Sequence, residues 1–570
     1  MNLDDGNPTV RKEELIQQIL DTMLGLRMKT VWQRLDSLQQ AAISEATHDP
    51  SGEYLPRRFR SRHGRDPAFT IPGTKSHGYS GCRASALGLF IHFRGVDRRY
   101  LIPDDLRNSL ITFVPKPEPL TVTSTEELAE VADQTVRLGE RDALQEVMVM
   151  LRLIDQSRVS VSDKTALPSA AAMRLLTEKL VGGDFYPWIE KKNAWDQQIG
   201  PIRAFAWPLL LQAGGLVTRV SGRLTLTPAG TKALSLPPAE VLRTLWRKWL
   251  KTSLLDEFSR VDEIKGQHAK GRVMTAVAPR RAAISDTLAA CPTGRWVDID
   301  EFSRFMMASD RVFEVCHDPW KLYVGDREYG NLGYDGFGGW NILQGRYIAV
   351  LLLEYAATLG MIDVALIDPD GASDDFRSLW GTDELAYLSR YDGLCAIRLT
   401  PLGAYILGID ANYQPAPIAS TVRLSVMPSL VLTVVQGALN GEEQLVLETW
   451  AIPLTAGSWR LDRELALSAI EKGHDIAELQ AFLQDRDDMP LPDTVESLIR
   501  HCQRNGNALK LQGNAQLIQC RDEAMAELLA SHKETAELCL RAAPRMLVVR
   551  SQHLEKFRDR ARMLGLGMAA

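Results

Sequence analysis

The motif Leu-Thr-Pro-x-Gly occurs twice in the chain, at residues 226–230 and 399–403, a separation of 173 positions. Each copy follows an apolar stretch with helical character, at residues 206–212 and 347–359, and then a glycine-containing turn and a strand-like segment. A repeated unit of this length indicates duplicated domains, because the repeats of solenoid proteins have periods of about 20 to 50 residues. The duplication therefore constrains the fold of the middle of the chain.

The residues around the first copy predict a definite order of elements. A helix ends at glycine, the strand Leu216-Val217-x-x-Val220 leaves it, and a hairpin returns at residues 223–226. Thr227 then caps the next helix and Pro228 occupies its first turn, where a missing amide N–H costs nothing. This order is typical of a winged-helix domain, and residues 100–106 resemble a third, more degenerate junction of the same kind.

The length of 570 residues predicts three or four domains, at about 150 residues for each. The predicted fold is α+β and predominantly helical, with tandem winged-helix domains followed by a C-terminal α+β domain. We expect an N-terminal helical or winged-helix-like domain with a basic loop. The four predicted domains span residues 1–120, 121–260, 261–412 and 420–570.

The composition excludes several classes of protein. Lys and Arg number 66 and Asp and Glu 72, a net charge of −6, so any DNA contact has to come from a local patch. The longest apolar stretches, at residues 348–355 and 424–435, are short of the roughly 20 residues that span a bilayer. Residues 1–11 lack a signal-peptide pattern, and seven scattered cysteines indicate reduced thiols. We expect a cytoplasmic protein with no membrane partner.

Motifs for nucleotide hydrolysis and nucleophilic catalysis are absent from the sequence. Gly-x-x-x-x-Gly-Lys-Ser/Thr, Gly-x-Ser-x-Gly and His-Glu-x-x-His do not occur. The glycine-rich residues 330–340 do not follow a clear strand, so we interpret them as a loop ordered by aromatic residues rather than a nucleotide site. His317 and Asp318 are interpreted as a structural pair. We predict no catalytic residue, cofactor or metal, and a hydrolase with an unrecognised site is the weaker alternative.

Arginines are concentrated between residues 55 and 65, in a segment with the polar character of a loop. Five guanidinium groups in nine positions repel one another unless anions neutralise them, and phosphate accepts hydrogen bonds from arginine in a bidentate manner. Two interpretations stay open: phosphate contact, or a solvated loop with some intramolecular carboxylate pairing. The five candidates are Arg57, Arg58, Arg60, Arg62 and Arg65.

A second group of candidate phosphate ligands lies in and after the first Leu-Thr-Pro-x-Gly unit. Two arginines flank its hairpin, where winged-helix proteins commonly touch the DNA backbone, and a basic stripe follows at helical spacing. Trp246 and Trp249 lie on another face of that helix, and we expect them to be core residues. Phosphate contacts by these residues would make DNA binding depend on the salt concentration but not on the base sequence. The candidates are Arg219, Arg223, Arg243, Arg247 and Lys248.

The C-terminal segment has a likeness to a known family. Its residues are Trp459-Arg-Leu-Asp-Arg-Glu-Leu-Ala-Leu-Ser-Ala-Ile-Glu-Lys-Gly, then Ala481-Phe-Leu-Gln and Leu491-Pro-Asp-Thr-Val-Glu-Ser-Leu-Ile-Arg, followed by a hairpin around Gly513. Residues 424–564 resemble the helicase-associated domain family named for the N-terminal region of XPB-type DNA repair helicases. The two Leu-Thr-Pro-x-Gly units resemble the tandem winged helices that precede this domain in bacterial relatives.

The resemblance implies DNA engagement, often as recognition of damage or distortion, beside a superfamily-two helicase. The family has no catalytic residues to carry over, and this chain has no Walker A motif and no Asp-Glu-x-His box, so the motor would be supplied in trans. The leading hypothesis is a non-enzymatic DNA-binding accessory protein in DNA repair, genome maintenance or antiphage defence. The alternative is a scaffold subunit of a multi-subunit complex that uses winged helices as protein-docking modules.

Overall fold

A computed structural model describes Gln17, Asn193 and residues 27–72, 82–96, 98–189, 197–269, 271–334, 339–416 and 422–569. Residues 1–11, and positions 335–338 of the glycine-rich stretch, lie outside this description. The chain divides into two compact units, residues 1–420 with 439–446 and residues 421–438 with 447–570. Both contain helices and small sheets, which confirms the predicted α+β fold. No helix within the described ranges is long and apolar enough to cross a membrane.

The N-terminal part of the first unit is built on a three-stranded antiparallel sheet. Its strand order is β1 (Glu53–Tyr54), β5 (Arg99–Leu101) and β4 (His92–Arg94). Phe59 and Phe90 are fully buried in its core. The strand-to-helix junction predicted at residues 100–106 is confirmed. The elements are α1 (Arg27–Gln33), α2 (Ser37–His48), β1 (Glu53–Tyr54), α3 (Pro56–His63), β2 (Thr70–Pro72), β3 (Cys82–Ala84), the 3-10 turn Ala86–Leu89, β4 (His92–Arg94), β5 (Arg99–Leu101) and α4 (Asp104–Leu110).

The arginine-rich segment forms helix α3, so the predicted basic loop is wrong. Pro56 occupies its first turn, and Gly64 ends it with a φ of 79°, the left-handed conformation common at helix C-termini. Phe59 is buried on the inner face, where its ring centroid lies 4.3 Å from that of His63. The loop prediction failed because the charges of the segment suggested full solvation, whereas one aromatic residue anchors the helix to the core.

A unit that we call the first repeat, residues 140–233, has the order helix, strand, helix, helix, hairpin, helix. The strand in this order is the short extended segment around Ser160, which lies beside β8 (Arg223–Leu226). Ser160 forms an isolated bridge with Arg223, and the amide of Leu224 donates to the carbonyl of Val159 at 2.9 Å. Strand β6 (Thr135–Arg137) precedes the repeat. Its own elements are α5 (Glu140–Asp155), α6 (Ala170–Lys179), α7 (Arg203–Ala213), β7 (Val217–Val220), β8 (Arg223–Leu226) and α8 (Pro228–Ala233).

The second repeat, residues 277–407, has the same order of elements apart from one additional short strand, Tyr323–Val324, which pairs with Ile264–Lys265 outside the repeat. Its sheet has the strand order β10 (Trp296–Asp298), β13 (Leu394–Leu399), β12 (Ile362–Leu366) and β6. The first strand of the second repeat therefore lies beside its last strand, as in the first repeat. Helix α9 (Pro238–Trp249), the 3-10 turn Glu257–Arg260 and β9 (Ile264–Lys265) connect the repeats. The elements are α10 (Val277–Leu288), β10 (Trp296–Asp298), α11 (Ile299–Ala308), β11 (Tyr323–Val324), the continuous helix α12 (Asn341–Gly345, Arg346–Val350 and Leu351–Ala356), β12 (Ile362–Leu366), β13 (Leu394–Leu399) and α13 (Pro401–Leu407).

The hairpins of the two repeats differ at their tips. In the first repeat β7 and β8 are joined by Ser221 and Gly222 alone, with φ of 48° and 74°, as in a two-residue hairpin turn. In the second repeat residues 367–393 lie between β12 and β13. The second repeat therefore has a large insertion where the first has a tight turn.

The two Leu-Thr-Pro-x-Gly motifs make the same hydrogen bonds. The hydroxyl of Thr227 donates to the carbonyl of Gly215 at 2.8 Å and accepts from the amide of Gly230 at 3.1 Å. Thr400 donates to the corresponding glycine carbonyl at 2.7 Å and accepts from the amide of Gly403 at 2.9 Å. Each threonine therefore caps a helix and ties it to the glycine two positions before the first hairpin strand.

The second unit contains two small antiparallel sheets, with strand orders β14–β15–β17–β16 and β18–β20–β19. Leu547 and Val549 of the second sheet are buried with Phe557 in one apolar cluster. The elements are β14 (Arg423–Val426), β15 (Val431–Gln436), α14 (Gly441–Trp450), β16 (Ala451–Thr455), β17 (Ser458–Leu461), α15 (Arg463–Glu471), α16 (Ile476–Arg486), α17 (Asp493–Asn505), β18 (Ala515–Gln519), α18 (Glu523–Ser531), β19 (Cys539–Ala543), β20 (Met546–Arg550) and α19 (Leu554–Met563).

Replacing Gly403 by alanine is expected to destabilise the first unit, because the new Cβ would lie 2.0 Å from the carbonyl oxygen of Met361. Gly230→Ala should behave alike, since its Cβ would lie 2.0 Å from the Leu216 oxygen. Overpacking of this kind costs about 1–3 kcal/mol, which should lower the urea midpoint of unfolding. Gly345→Ala is the matched control, because its Cβ would have no neighbour closer than 3.6 Å. Equal losses in all three variants would contradict this assignment.

Candidate functional site

The two repeats have opposite net charges. Residues 140–251, which comprise the first repeat and helix α9, contain 16 Lys and Arg and 10 Asp and Glu, a net charge of +6. Residues 277–407 contain 11 Lys and Arg and 19 Asp and Glu, a net charge of −8. A chain that is acidic as a whole therefore includes one cationic module, to which a polyanion is attracted most strongly.

The third helix of each repeat is buried. Every residue of α7 between positions 203 and 211 is buried, and so are residues 346–356 of α12. A recognition helix reads DNA by placing side chains against base edges in the major groove. Neither of these stretches has an exposed face, so residues 203–211 of α7 and 346–356 of α12 offer no side chain for base reading.

A buried ion pair holds α7 in the interior. The Glu146 carboxylate on α5 is fully buried and accepts hydrogen bonds from the Arg203 guanidinium at 2.7 and 2.8 Å and from the indole N–H of Trp207 at 3.1 Å. Burial raises the pKa of Glu146 to about 7, and the positive charge of Arg203 opposes the rise. Arg203 and Trp207 therefore stay in the core, because separating Arg203 from Glu146 would leave a buried charge without a partner.

A second buried carboxylate joins α12 to its surroundings. Glu257 accepts hydrogen bonds from Arg281 at 2.6 Å, from the indole of Trp249 at 2.9 Å and from the Tyr347 hydroxyl at 2.8 Å. Burial raises the pKa of the Glu257 carboxyl, and Arg281 opposes the rise. The prediction that Trp246 and Trp249 are core residues is confirmed, because both are almost completely buried.

Three of the five arginines predicted near residues 55–65 are paired with carboxylates of the same chain. Arg58 and Arg62 lie 4.0 and 3.4 Å from the Glu45 carboxylate on α2, which is itself mostly buried. Arg60 forms an ion pair with Asp66. The intramolecular pairing that the sequence left open as an alternative therefore occurs, and these three arginines have less charge to offer a phosphate.

The other two arginines of this group are free of such pairs. Arg57 and Arg65 are exposed and have no ion-pair partner among the described residues. Arg60 and Arg62 also line a cavity of about 920 Å³ together with Arg304 of α11. Because Arg304 pairs with Glu301, the cations around the cavity are balanced by carboxylates.

The two hairpin arginines, Arg219 and Arg223, donate hydrogen bonds to backbone carbonyl groups. Arg219 on β7 donates to the carbonyl of Ser162 at 3.2 Å, and Arg223 on β8 donates to the carbonyl of Ser157 at 3.1 Å. The nearest carboxylate to Arg219 is that of Asp163, 3.9 Å away and largely exposed. A hydrogen bond to a carbonyl does not neutralise a guanidinium, so Arg223 presents positive charge beside the hairpin turn, whereas Arg219 forms a long ion pair with Asp163.

Helix α9 places its predicted basic residues in two environments. The guanidinium of Arg243 lies 4.7 Å from the ring centroid of Tyr405 on α13, so Arg243 stabilises helix packing. Arg247 and Lys248 are exposed and have no ion-pair partner within the described part of the chain. Lys251, which was not among the predicted candidates, is also exposed and has no ion-pair partner among the described residues. Its spacing of three and four positions from Lys248 and Arg247 was the available signal.

Comparison with known proteins adds no assignment: no protein-family model matches this chain, and no curated protein matches it. The likeness of residues 424–564 to the helicase-associated family, and the DNA role that it implies, therefore stay predictions.

No group of three or more His, Cys, Asp or Glu side chains could hold a metal ion among the residues described. Asp318, beside His317, accepts the amide of Trp320 at 3.2 Å and so caps a turn.

Removing Arg58 is expected to lower stability, whereas removing Arg57 is not. Arg58 donates to the Asp49 carboxylate at 2.8 Å, and both side chains are mostly buried. We expect Arg58→Ala to cost about 1 kcal/mol at neutral pH, measured by urea unfolding. Arg57→Ala is the matched control, since its side chain is exposed and unpaired.

The same pair predicts a pH dependence. Burial raises the pKa of Asp49, but hydrogen bonds from Ser51 and Arg58 outweigh this and hold its pKa below the usual value. The stabilisation is therefore present above the usual aspartate pKa and is lost as the pH falls through the lowered one. The difference between the wild type and Arg58→Ala should shrink below about pH 4. A difference that grows in acid would contradict the pairing.

Proposed function

We propose that this protein is a non-enzymatic accessory protein that contacts the DNA backbone through its first repeat and acts with a helicase supplied in trans. The observation that carries the proposal is the net charge of +6 over residues 140–251, in a chain of net charge −6. Exposed cations at the end of α9, and Arg223 beside the hairpin turn of the first repeat, have no ion-pair partner among the described residues and place part of that charge at the surface.

Both repeats are proposed to be winged-helix domains. The order helix, strand, helix, helix, strand, strand supports this assignment, as does the position of the last strand between the first and second ones. The N-terminal sheet has the corresponding order β1–β5–β4, but a single 3-10 turn, Ala86–Leu89, stands where the third helix would be. We therefore extend the assignment to the N-terminal part as a degenerate copy.

The proposed mode of DNA contact avoids the third helices. With α7 buried, the proposed phosphate contacts are Arg219 and Arg223 beside the hairpin turn and Arg247, Lys248 and Lys251 at the end of α9, all of which are exposed. These groups can neutralise phosphates but cannot reach base edges by way of a recognition helix. We expect binding that is independent of base sequence and strongly dependent on salt, because released counterions drive it.

The cellular setting belongs to the same proposal. The likeness of residues 424–564 to the helicase-associated family supports DNA repair, genome maintenance or antiphage defence, with a superfamily-two helicase as partner. The absence of a Walker A motif from the sequence supports an accessory role without a nucleotide cofactor. Free thiols at the described cysteines support a cytoplasmic location.

One observation favours the alternative, a protein–protein scaffold. The second repeat has a net charge of −8 and a buried third helix, so it would repel DNA. Winged-helix domains with these properties serve more readily as docking modules for proteins. The two functions can be divided between the repeats, with DNA on the first and a protein on the second.

Replacing Arg247, Lys248 and Lys251 together by alanine should weaken DNA binding uniformly across base sequences. Each lost phosphate contact should reduce the slope of log affinity against log salt by about one. Fluorescence anisotropy with labelled duplex DNA over a salt series measures both quantities. Arg327→Ala is the matched control, because Arg327 is an exposed, unpaired cation of the acidic repeat.

The outcome separates the two functions. An unchanged wild-type affinity across the salt series, or the same loss in Arg327→Ala as in the triple variant, would refute backbone contact by α9. Absence of wild-type binding at low salt would favour the scaffold alternative.

A further inference from the structure

Two large aromatic side chains of the second repeat are exposed side by side. Tyr329, in the loop after β11, is 61% exposed, and Trp380, in the insertion between β12 and β13, is 52% exposed. Their ring centroids are 5.5 Å apart with the planes inclined at 36°. Isolated exposed aromatics need no explanation, but a pair that meets from two separate loops presents a continuous apolar surface to solvent.

The backbone beneath the pair is tightly built. A Cβ on Gly325 would lie 3.5 Å from the carbonyl oxygen of Gly381 and 3.8 Å from the Trp380 ring, so the two loops touch next to the aromatic pair. The Asp326 carboxylate accepts the amide of Tyr329 at 3.0 Å. The fully buried hydroxyl of Thr382 donates to the carbonyl of Leu379 at 2.9 Å. The rings therefore stand on loops fixed by local hydrogen bonds, which reduces the entropy lost on binding a ligand.

Carboxylates flank the aromatic pair. Glu328 precedes Tyr329, and Asp383 and Glu384 follow Trp380 by three and four positions. All three are exposed and have no ion-pair partner among the described residues. With Asp326 and the exposed Arg327 included, these residues have a net charge of −3. We call the group of Glu328, Tyr329, Trp380, Asp383 and Glu384 the aromatic–acidic surface.

Charge complementarity selects the ligand of this surface. Aromatic faces attract cations through the ring quadrupole, and adjacent carboxylates strengthen that attraction and pair with guanidinium or ammonium groups. Stacking alone would also suit nucleobases, but the phosphates of a nucleic acid would face a net negative charge. We propose that the aromatic–acidic surface binds a segment of a partner protein that is rich in arginine and lysine.

The place of this surface in the fold supports a docking role. The insertion of residues 367–393 carries Trp380, Asp383 and Glu384, and it stands where the first repeat has the tight turn between Arg219 and Arg223. The same topological position therefore presents cations in one repeat and an exposed tryptophan with carboxylates in the other. This inference needs no DNA contact by the first repeat, so each can fail without the other.

The test is peptide binding to the full-length protein. A short fluorescein-labelled peptide of alternating arginine, lysine and glycine is titrated at low and moderate salt, and anisotropy is measured. We expect Trp380→Ala to weaken binding by about fivefold or more, and Trp380→Phe to retain most of the affinity. Asp383→Asn with Glu384→Gln should weaken binding at low salt and lose that effect as salt screens the charges.

Matched controls keep the test specific. Phe93→Ala removes an aromatic ring that is 56% exposed in the N-terminal sheet, outside the proposed surface. Glu127→Gln with Glu130→Gln removes two exposed, unpaired carboxylates elsewhere in the first unit. Both controls should leave the peptide affinity of the wild type unchanged.

Three results would overturn the proposal. The first is no peptide binding by the wild type at low salt. The second is an equal loss in Trp380→Ala and Phe93→Ala, or in the two carboxylate variants. The third is a Trp380→Ala variant that loses affinity for single-stranded oligothymidylate while its peptide affinity stays unchanged, which would identify a base-stacking site instead.

Discussion

Buried carboxylates that are each paired with an arginine and an aromatic donor organise the first unit. Glu146 holds Arg203 and Trp207 of α7, and Glu257 holds Arg281 and a hydroxyl of α12. A charge removed from water is tolerated only when such donors replace its hydration. These contacts fix both third helices inside one core shared by the repeats, so partners have to meet other parts of the surface.

The two repeats use one backbone arrangement with opposite electrostatics. A module of net charge +6 and a module of net charge −8 attract different classes of partner, whatever their common topology. In the division that we propose, phosphates meet the first repeat and a basic protein segment meets the second. In that proposal the protein would act by holding a nucleic acid and a partner protein on one chain.

The sequence predicted those parts of the fold that depend on local chemistry. Thr227 and Thr400 cap their helices as expected, because threonine followed by proline is typical of a helix N-terminus. The arginine-rich helix was missed because its charges suggested a solvated loop, and the sequence did not show that Glu45 on another helix pairs with Arg58 and Arg62. Composition alone could not distinguish a paired guanidinium from a free one.

The sequence by itself determined the duplicated junctions, the mixed α+β character and the core position of the tryptophans of α9. Only the tertiary structure decided which cations are free, because pairing depends on groups brought together from distant positions. Arg243 and Arg247 lie one helical turn apart, yet one stacks on Tyr405 and the other meets solvent. The physical reason is that helix propensity and capping act over a few residues, whereas burial and ion pairing are set by the packing of the whole unit.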